Sequence, residues 1–285
     1  MNILKFIYQL LHPSCRTIFL DYKIEITPSY GSGKPAHSKL CEIISSHRKE
    51  YKNFLSSCFK YKESFNTITK DALEGYSSDP IWNNKYFPGL DIIALYTMIS
   101  HFKSRHYFEI GSGTSTKVAR KAINENRLPT KIISIDPNPR QDIDLLVDKS
   151  IRLNLGKTEA EIIVEKAKEN DILFIDGSHR IYPNSDVMFF FLEILPRLKK
   201  GVIVHLHDIY LPFDYPPSFC ERFYSEQYAL AISLLENPQR YGILLPNHYI
   251  SQDKELRSVI APLWGQLREK EIETHGCSFW LRIEN

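Results

Sequence analysis

Four apolar runs in this sequence end on groups that can hold a ligand or move a proton. HYFEI carries Glu109 into GSGTST, IISI leads to Asp136, ILFI to Asp176 and His179, and VIVHL to His207 and Asp208. Carboxylates and imidazoles brought to one rim can accept hydroxyl hydrogens, exchange protons or coordinate a cation. Asp176, His179, His207 and Asp208 are the candidate catalytic residues. One reading places a hard cation such as Mg2+ between Asp176 and Asp208, with His207 as a third ligand. The other makes His179 or His207 a metal-free base oriented by an acid. His205 is expected to face a covering helix instead of the rim.

Gly111 and Gly113 stand directly after an apolar run and before a stretch with Val118, Ala119, Ala122 and Ile123 on one helical face. Glycines at such a turn let the backbone approach a ligand with no Cβ in the way. The third glycine of the dinucleotide fingerprint is missing, and Thr114, Ser115 and Thr116 take its place. Asp136 follows about twenty residues later, where a carboxylate can accept both hydroxyls of a ribose. Together these residues read as an adenosine site. Glu109 argues about which adenosine cofactor: a carboxylate there would repel a pyrophosphate and suit a cationic sulfonium and amino group.

The elements that must position these groups are legible from Pro88 onward. DIIALYTMISHF reads as a helix, KIISID as a buried strand, SIRLN as a weaker one, SDVMFFFLEILPRL as a helix and GVIVHLHD as another buried strand. Near-continuous apolar strands alternating with helices indicate a parallel sheet covered on both faces, with ligands beyond the carboxyl ends of its strands. YGILLP and CSFWLRI fit a closing pair of strands, one of them antiparallel. After Asp208, IYLPFDYPPSF leads to Glu221, Arg222, Glu226 and Tyr228 and is expected to roof the acceptor pocket.

The chain divides at residues 1–87, an N-terminal helical or cap region, and residues 88–285, the main domain. Residues 24–35 read as loop, since they hold Pro28, Gly31, Gly33 and Pro35. Apolar residues from Leu40 to Phe59 recur at helical spacing, so one amphipathic helix is expected there, packed on the main domain.

Composition narrows the partners. Of 285 residues, 43% are hydrophobic and 25% charged, and 36 basic against 34 acidic residues leave a net charge of +2. That balance gives no reason to expect nucleic acid or an anionic membrane as partner. Five scattered cysteines (Cys15, Cys41, Cys58, Cys220 and Cys277) without a C-x-x-C pair suggest reduced thiols and a cytoplasmic location. The opening MNILKFIYQLLHP is too short to span a bilayer and lacks a small-residue cleavage site.

At FEIGSGTST and IISID the chain resembles the class I S-adenosylmethionine-dependent methyltransferases. More narrowly it is similar to a bacterial branch of small-molecule methyltransferase-like proteins, through FPGLDIIALY, SIDPNPR, DILFIDGSHRIYPNSDV, FFLEILPRLKKGVIVHLHDIYLPFDYP, SEQY and SFWLR. The likeness runs over residues 80 to 285. It implies an α/β fold: a Rossmann-like seven-stranded sheet with an antiparallel last strand and helices on both faces. It also implies S-adenosylmethionine as cofactor, contacted by Glu109, Gly111, Ser112, Gly113, Ser115, Thr116, Asp136 and Asp176. Asn154 is the nearest candidate for the adenine contact, which the third strand does not spell out.

The activity this implies is methyl transfer to an oxygen, or a nitrogen, of a small molecule or sugar. Two alternatives use the same fold: a cation-dependent, hydroxylase-like relative, and a non-catalytic cofactor-binding or assembly module. The residues leave the acceptor and the oligomeric state open.

Overall fold

β-Branched and aromatic residues form strands wherever they run unbroken, and the computed structural model places strands on all the runs named above. It describes residues 7–8, 10–12, 20–71, 78–267 and 272–285. Cys15 and most of the apolar N-terminal run lie outside the described residues.

In chain order the elements are α1 (Ser38–Ser45), α2 (Arg48–Ser57), α3 (Lys62–Asn66), α4 (Gly89–Phe102), β1 (His106–Ile110), α5 (Thr114–Glu125), β2 (Lys131–Ile135) and β3 (Lys149–Ile151). There follow α6 (Lys157–Lys166), β4 (Ile172–Ile175), α7 (Asp186–Phe189), β5 (Ile203–Leu206), α8 (Pro217–Cys220), α9 (Glu226–Glu236), β6 (Tyr241–Pro246), α10 (Asn247–Gln252), α11 (Lys254–Gln266) and β7 (Phe279–Ile283). The seven strands form one sheet in the order β3-β2-β1-β4-β5-β7-β6, parallel except for β7, which runs antiparallel to β5 and β6. The order reverses between β1 and β4, whose carboxyl ends stand side by side, with Ile110 paired to Ile175. This is the crevice in which doubly wound sheets bind ligands.

The third strand is shorter than SIRLN suggested and starts earlier, at Lys149. It is an edge strand with exposed or half-buried residues, so burial does not specify its length. SDVMFFFLEILPRL forms one turn of α-helix, then a π-helical turn over Phe190–Ile194 and a 3-10 turn ending at Arg197. Pro196 cannot extend a helical ladder.

The single helix expected from Leu40 to Phe59 is two helices. Ser45 and Ser46 donate their hydroxyls to the carbonyls of Glu42 and Ile43, and this local competition with the helical ladder marks the break. Leu40, Ile44, Tyr51, Leu55 and Phe65 nevertheless bury into the same apolar core as the sheet. Arg48 fastens α2 to the start of α11, meeting Asp253 and Glu255 at 2.5 Å each. Upstream, the segment around Ser29–His37 clasps the Pro-rich loop after β5. The Ser29 amide donates to Asp214 at 2.9 Å, Asp214 N to the Tyr30 carbonyl at 3.0 Å, and His37 N to the Pro212 carbonyl at 3.0 Å.

Candidate active site

The glycine turn is built against the neighbouring strand. Gly111 has φ +81°, and a Cβ there would lie 2.0 Å from the Asp176 carbonyl oxygen. Both its handedness and its packing therefore require glycine. Gly113 is different: its backbone is extended and an added Cβ would meet nothing within 4 Å. The Ser112 amide donates to Asp136 Oδ2 at 2.7 Å, and the Asn138 amide to Oδ1 at 2.9 Å, so the acid that ends β2 is locked against the turn that follows β1.

A cavity of about 420 Å³ opens over this turn. Gly111, Ser112, Gly113, Ser115, Asp136 and Asp176 all line it, as do Asn154, Leu155, Tyr86 and Arg140. Arg140 lies over the Tyr86 ring at 5.3 Å, a cation–π contact at the cavity mouth.

Glu109 and Thr116 do not line the cavity, contrary to expectation. Both are fully buried under the turn. Glu109 accepts the hydroxyls of Ser115 at 2.7 Å, Thr116 at 2.5 Å and Tyr107 at 3.2 Å, and Thr116 Oγ1 in turn takes the Gly113 amide at 3.0 Å. Burial pushes the Glu109 carboxyl up to about 7 against these three donors. An acid in this position holds the loop from below. Its oxygens are taken up by these three hydroxyls beneath the turn.

At the ends of β4 and β5 the candidate proton-handling groups do meet. His179 Nε2 stands 3.3 Å from Asp176 and 3.7 Å from Asp208, while Nδ1 stands 2.5 Å from Glu226 Oε1. The ring stacks on Tyr224 at 4.5 Å. Burial alone would lower this imidazole's pKa, but Glu226 and Asp176 outweigh it and hold it well above the usual value. His179 and Asp208 both adopt the left-handed backbone region, at φ +60° and +56°. Non-glycine residues persist there only when their surroundings fix them. His179 is fixed by its carbonyl, which accepts the amides of Ser225 and Glu226 at 2.8 and 3.3 Å.

His207 stands between this group and a second one: its Nδ1 lies 3.7 Å from carboxylate oxygens of both Asp176 and Asp208. Its Nε2 lies 3.3 Å from Asp91 Oδ2, and Phe87 stacks on its ring at 4.9 Å. His205 does not point to the opposite face. Residues two apart on a strand share a face, and both imidazoles approach Phe87 and Phe174. His205 stacks on Trp280 at 3.7 Å and meets Ser278 Oγ at 2.7 Å.

Mg2+ at Asp176 and Asp208 finds no support in the donor set. An imidazole edge stands between the two carboxylates, whereas Mg2+ takes oxygen ligands in near-octahedral array. Sequence reading named Glu226 only as part of the roof and gave Asp91 no role. Asp91 had one signal, being the sole acid of α4, an otherwise apolar helix. Glu226 had none, because its partner lies 47 residues away.

Residues 108–209 match the sequence profile of a family described as a methyltransferase domain. No curated protein matches the chain. Among solved structures, the chain is similar to a methyltransferase from Podospora anserina bound to S-adenosylhomocysteine, with 13% identity, 90% of this chain and 100% of that one covered, and a TM-score of 0.42. An O-methyltransferase from Bacillus cereus in complex with S-adenosylhomocysteine is 12% identical over 82% of this chain and 91% of that one, with a TM-score of 0.36. These likenesses are distant; the profile match over residues 108–209 and the strand order stand apart from them. Residues 108–209 thus match a family described as a methyltransferase domain, and they lie on a Rossmann-like seven-stranded α/β sheet.

Proposed function

We propose that this protein transfers the methyl group of S-adenosylmethionine to an oxygen of a small molecule or sugar, nitrogen being the less favoured acceptor atom. One observation carries the reading: Asp136 and Asp176 line the same cavity, so a ribose-binding acid and one carboxylate of the proton-handling cluster share one chamber, with His179 3.3 Å behind Asp176.

The residues present fit that cofactor. Gly113 leaves open the space a side chain would fill, Asp136 offers a carboxylate at the cavity wall, and Ser112 and Ser115 add hydroxyls. When bound, S-adenosylmethionine supplies an already activated methyl group on a sulfonium. The chain's own work is then alignment and removal of one proton. Asp176 holds the acceptor hydroxyl at the cavity wall. His179 Nε2 takes its proton, with Asp176 and Asp208 favouring the charged imidazole that results. Glu226 fixes the ring through Nδ1, as the orienting acid does wherever an imidazole serves as base. Tyr224 and the aromatic residues of the Pro-rich loop keep water from the imidazole.

The test is incubation with methyl-labelled S-adenosylmethionine and a panel of hydroxylated small molecules, sugars and amines, read by mass spectrometry of the products. Label on oxygen is the expected outcome. Tight binding of S-adenosylhomocysteine with no transfer to any member would favour the non-catalytic module. Iron-dependent hydroxylation would favour the other enzyme class.

A further inference from the structure

We propose that Asp91, His207 and Cys277 form a closed site for a divalent cation of the zinc class, separate from the Asp176–His179–Asp208 group. The three residues come from α4, from the end of β5 and from the segment entering β7. Their facing atoms form a nearly equilateral triangle: His207 Nε2 to Asp91 Oδ2 is 3.3 Å, Cys277 Sγ to His207 Nε2 is 3.4 Å, and Cys277 Sγ to Asp91 Oδ2 is 3.5 Å. A tetrahedral zinc ion with bonds of about 2.0–2.1 Å to nitrogen and oxygen and about 2.3 Å to sulfur would set such ligands roughly 3.3–3.6 Å apart.

Hydrogen bonds alone serve this triangle badly. The sulfur faces Asp91, His207 and also Asp208 Oδ1 at 3.3 Å, yet a thiol has one proton to share among them. A cation at the centre satisfies the oxygen, nitrogen and sulfur together, the thiol proton leaving to solvent on binding. A second observation points the same way. His207 Nδ1 is buried with no hydrogen-bond partner among the described residues, and carboxylate oxygens of Asp176 and Asp208 stand 3.7 Å off. Metal-bound imidazoles commonly turn their second nitrogen toward a carboxylate. The supporting shell of Asp91 is in place as well: Oδ1 accepts Asn247 Nδ2 at 2.6 Å and the Ser278 amide at 3.0 Å, and Oδ2 accepts the Cys277 amide at 2.9 Å.

The donor chemistry selects the ion. Thiolate with imidazole favours zinc and its cobalt substitute over Mg2+ or Ca2+. With all three residues buried the site is closed to solvent, and three protein ligands leave the fourth tetrahedral position unfilled by the chain. Its role is to join three distant segments and to hold Asp208 beside the sulfur, on the rim that faces His179.

Because a closed site loads during folding, the test uses the full chain expressed in minimal medium with Zn2+ or with Co2+ as the added transition metal. We expect one equivalent of metal by elemental analysis and, for the cobalt protein, a sulfur-to-cobalt charge-transfer band. Cys277→Ser should remove the band and Asp91→Asn should weaken metal retention by at least about 10-fold. His179→Gln should leave both intact. Wild-type protein that carries no metal, or a cobalt protein without the sulfur band, overturns the site whatever the variants do. So does a full equivalent retained by a folded Cys277→Ser, since the ion would then sit elsewhere.

Discussion

Glu226 Oε1 lies 2.5 Å from Nδ1 of His179, on a helix that begins 47 residues after it, and this pairing defines which imidazole nitrogen is left to do chemistry. With Nδ1 committed to Glu226, only Nε2 faces the rim. A base held this way is stronger than a free histidine, because the pair's negative charge favours the protonated ring. Turnover should rise with pH through an apparent pKa above the ordinary histidine range. Glu226→Gln removes the charge, so the inflection should move down and the rate at its plateau should fall. His179→Gln should cost about 10²- to 10⁴-fold in kcat, the usual worth of a general base. An unchanged pH profile in Glu226→Gln would remove the dyad from the mechanism.

The two glycines of the turn should respond differently to the same substitution. Gly111→Ala forces a Cβ into the Asp176 carbonyl at positive φ and should destabilise the fold or prevent its expression. Gly113→Ala meets only open space in the protein and should leave thermal stability nearly unchanged. Its Cβ should be felt by the ligand, so affinity for S-adenosylhomocysteine should fall. Calorimetry and thermal melts on both variants check this.

Asp136→Ala should weaken S-adenosylhomocysteine binding by about 1.5–3 kcal/mol, the worth of hydrogen bonds to a charged group. Asp136 also holds the Ser112 and Asn138 amides, so Asp136→Asn is the sharper variant: it keeps an acceptor for one amide and loses the charge. Binding equal to wild type in both would exclude the acid from the site.

Glu109 should make the fold less stable as pH rises. Its folded pKa of about 7 lies above the ordinary carboxyl value of 4.5, so between those values the folded state binds more protons than the unfolded one. Stability is then greatest below about 4.5, falls through the window and levels off above 7. Glu109→Gln should flatten that slope in urea melts taken across the range. Other acids contribute their own slopes, so the difference between the two proteins is the quantity to read.

The N-terminal helices should prove inseparable from the rest. Leu55 is fully buried in the common core, and Leu55→Ala should cost about 2–5 kcal/mol. Deleting residues 1–80 should expose the apolar surface that α1 and α2 cover and drive association, seen by light scattering. A monomeric, fully active truncation would show the region to be an appendage.

Much of this architecture was written in local sequence. HYFEI, IISI, ILFI and IVHL are strands because residues so apolar, so branched and so short in run have little other use, and helices between them force a parallel sheet. The glycine turn and Asp136 were legible because their spacing along the chain reflects one βαβ unit. Period alone could not say where Glu109 goes. It stands at the very end of a strand, where one face covers the helix start and the other meets the cavity, and only the packing of Ser115 and Thr116 decided between them. The break between α1 and α2 was equally invisible, since the apolar stripe continues across it. The chemistry of the site depended still more on three dimensions. Asp91, His207 and Cys277 span 186 residues, and His179, in the loop after β4, finds Glu226 at the start of a helix 47 residues on. A sequence records which groups a chain owns and the local periods that make strands and helices. Which buried acid meets which imidazole is settled when the sheet closes, because the cost of an unpaired buried charge is levied on the folded neighbourhood and not on the chain.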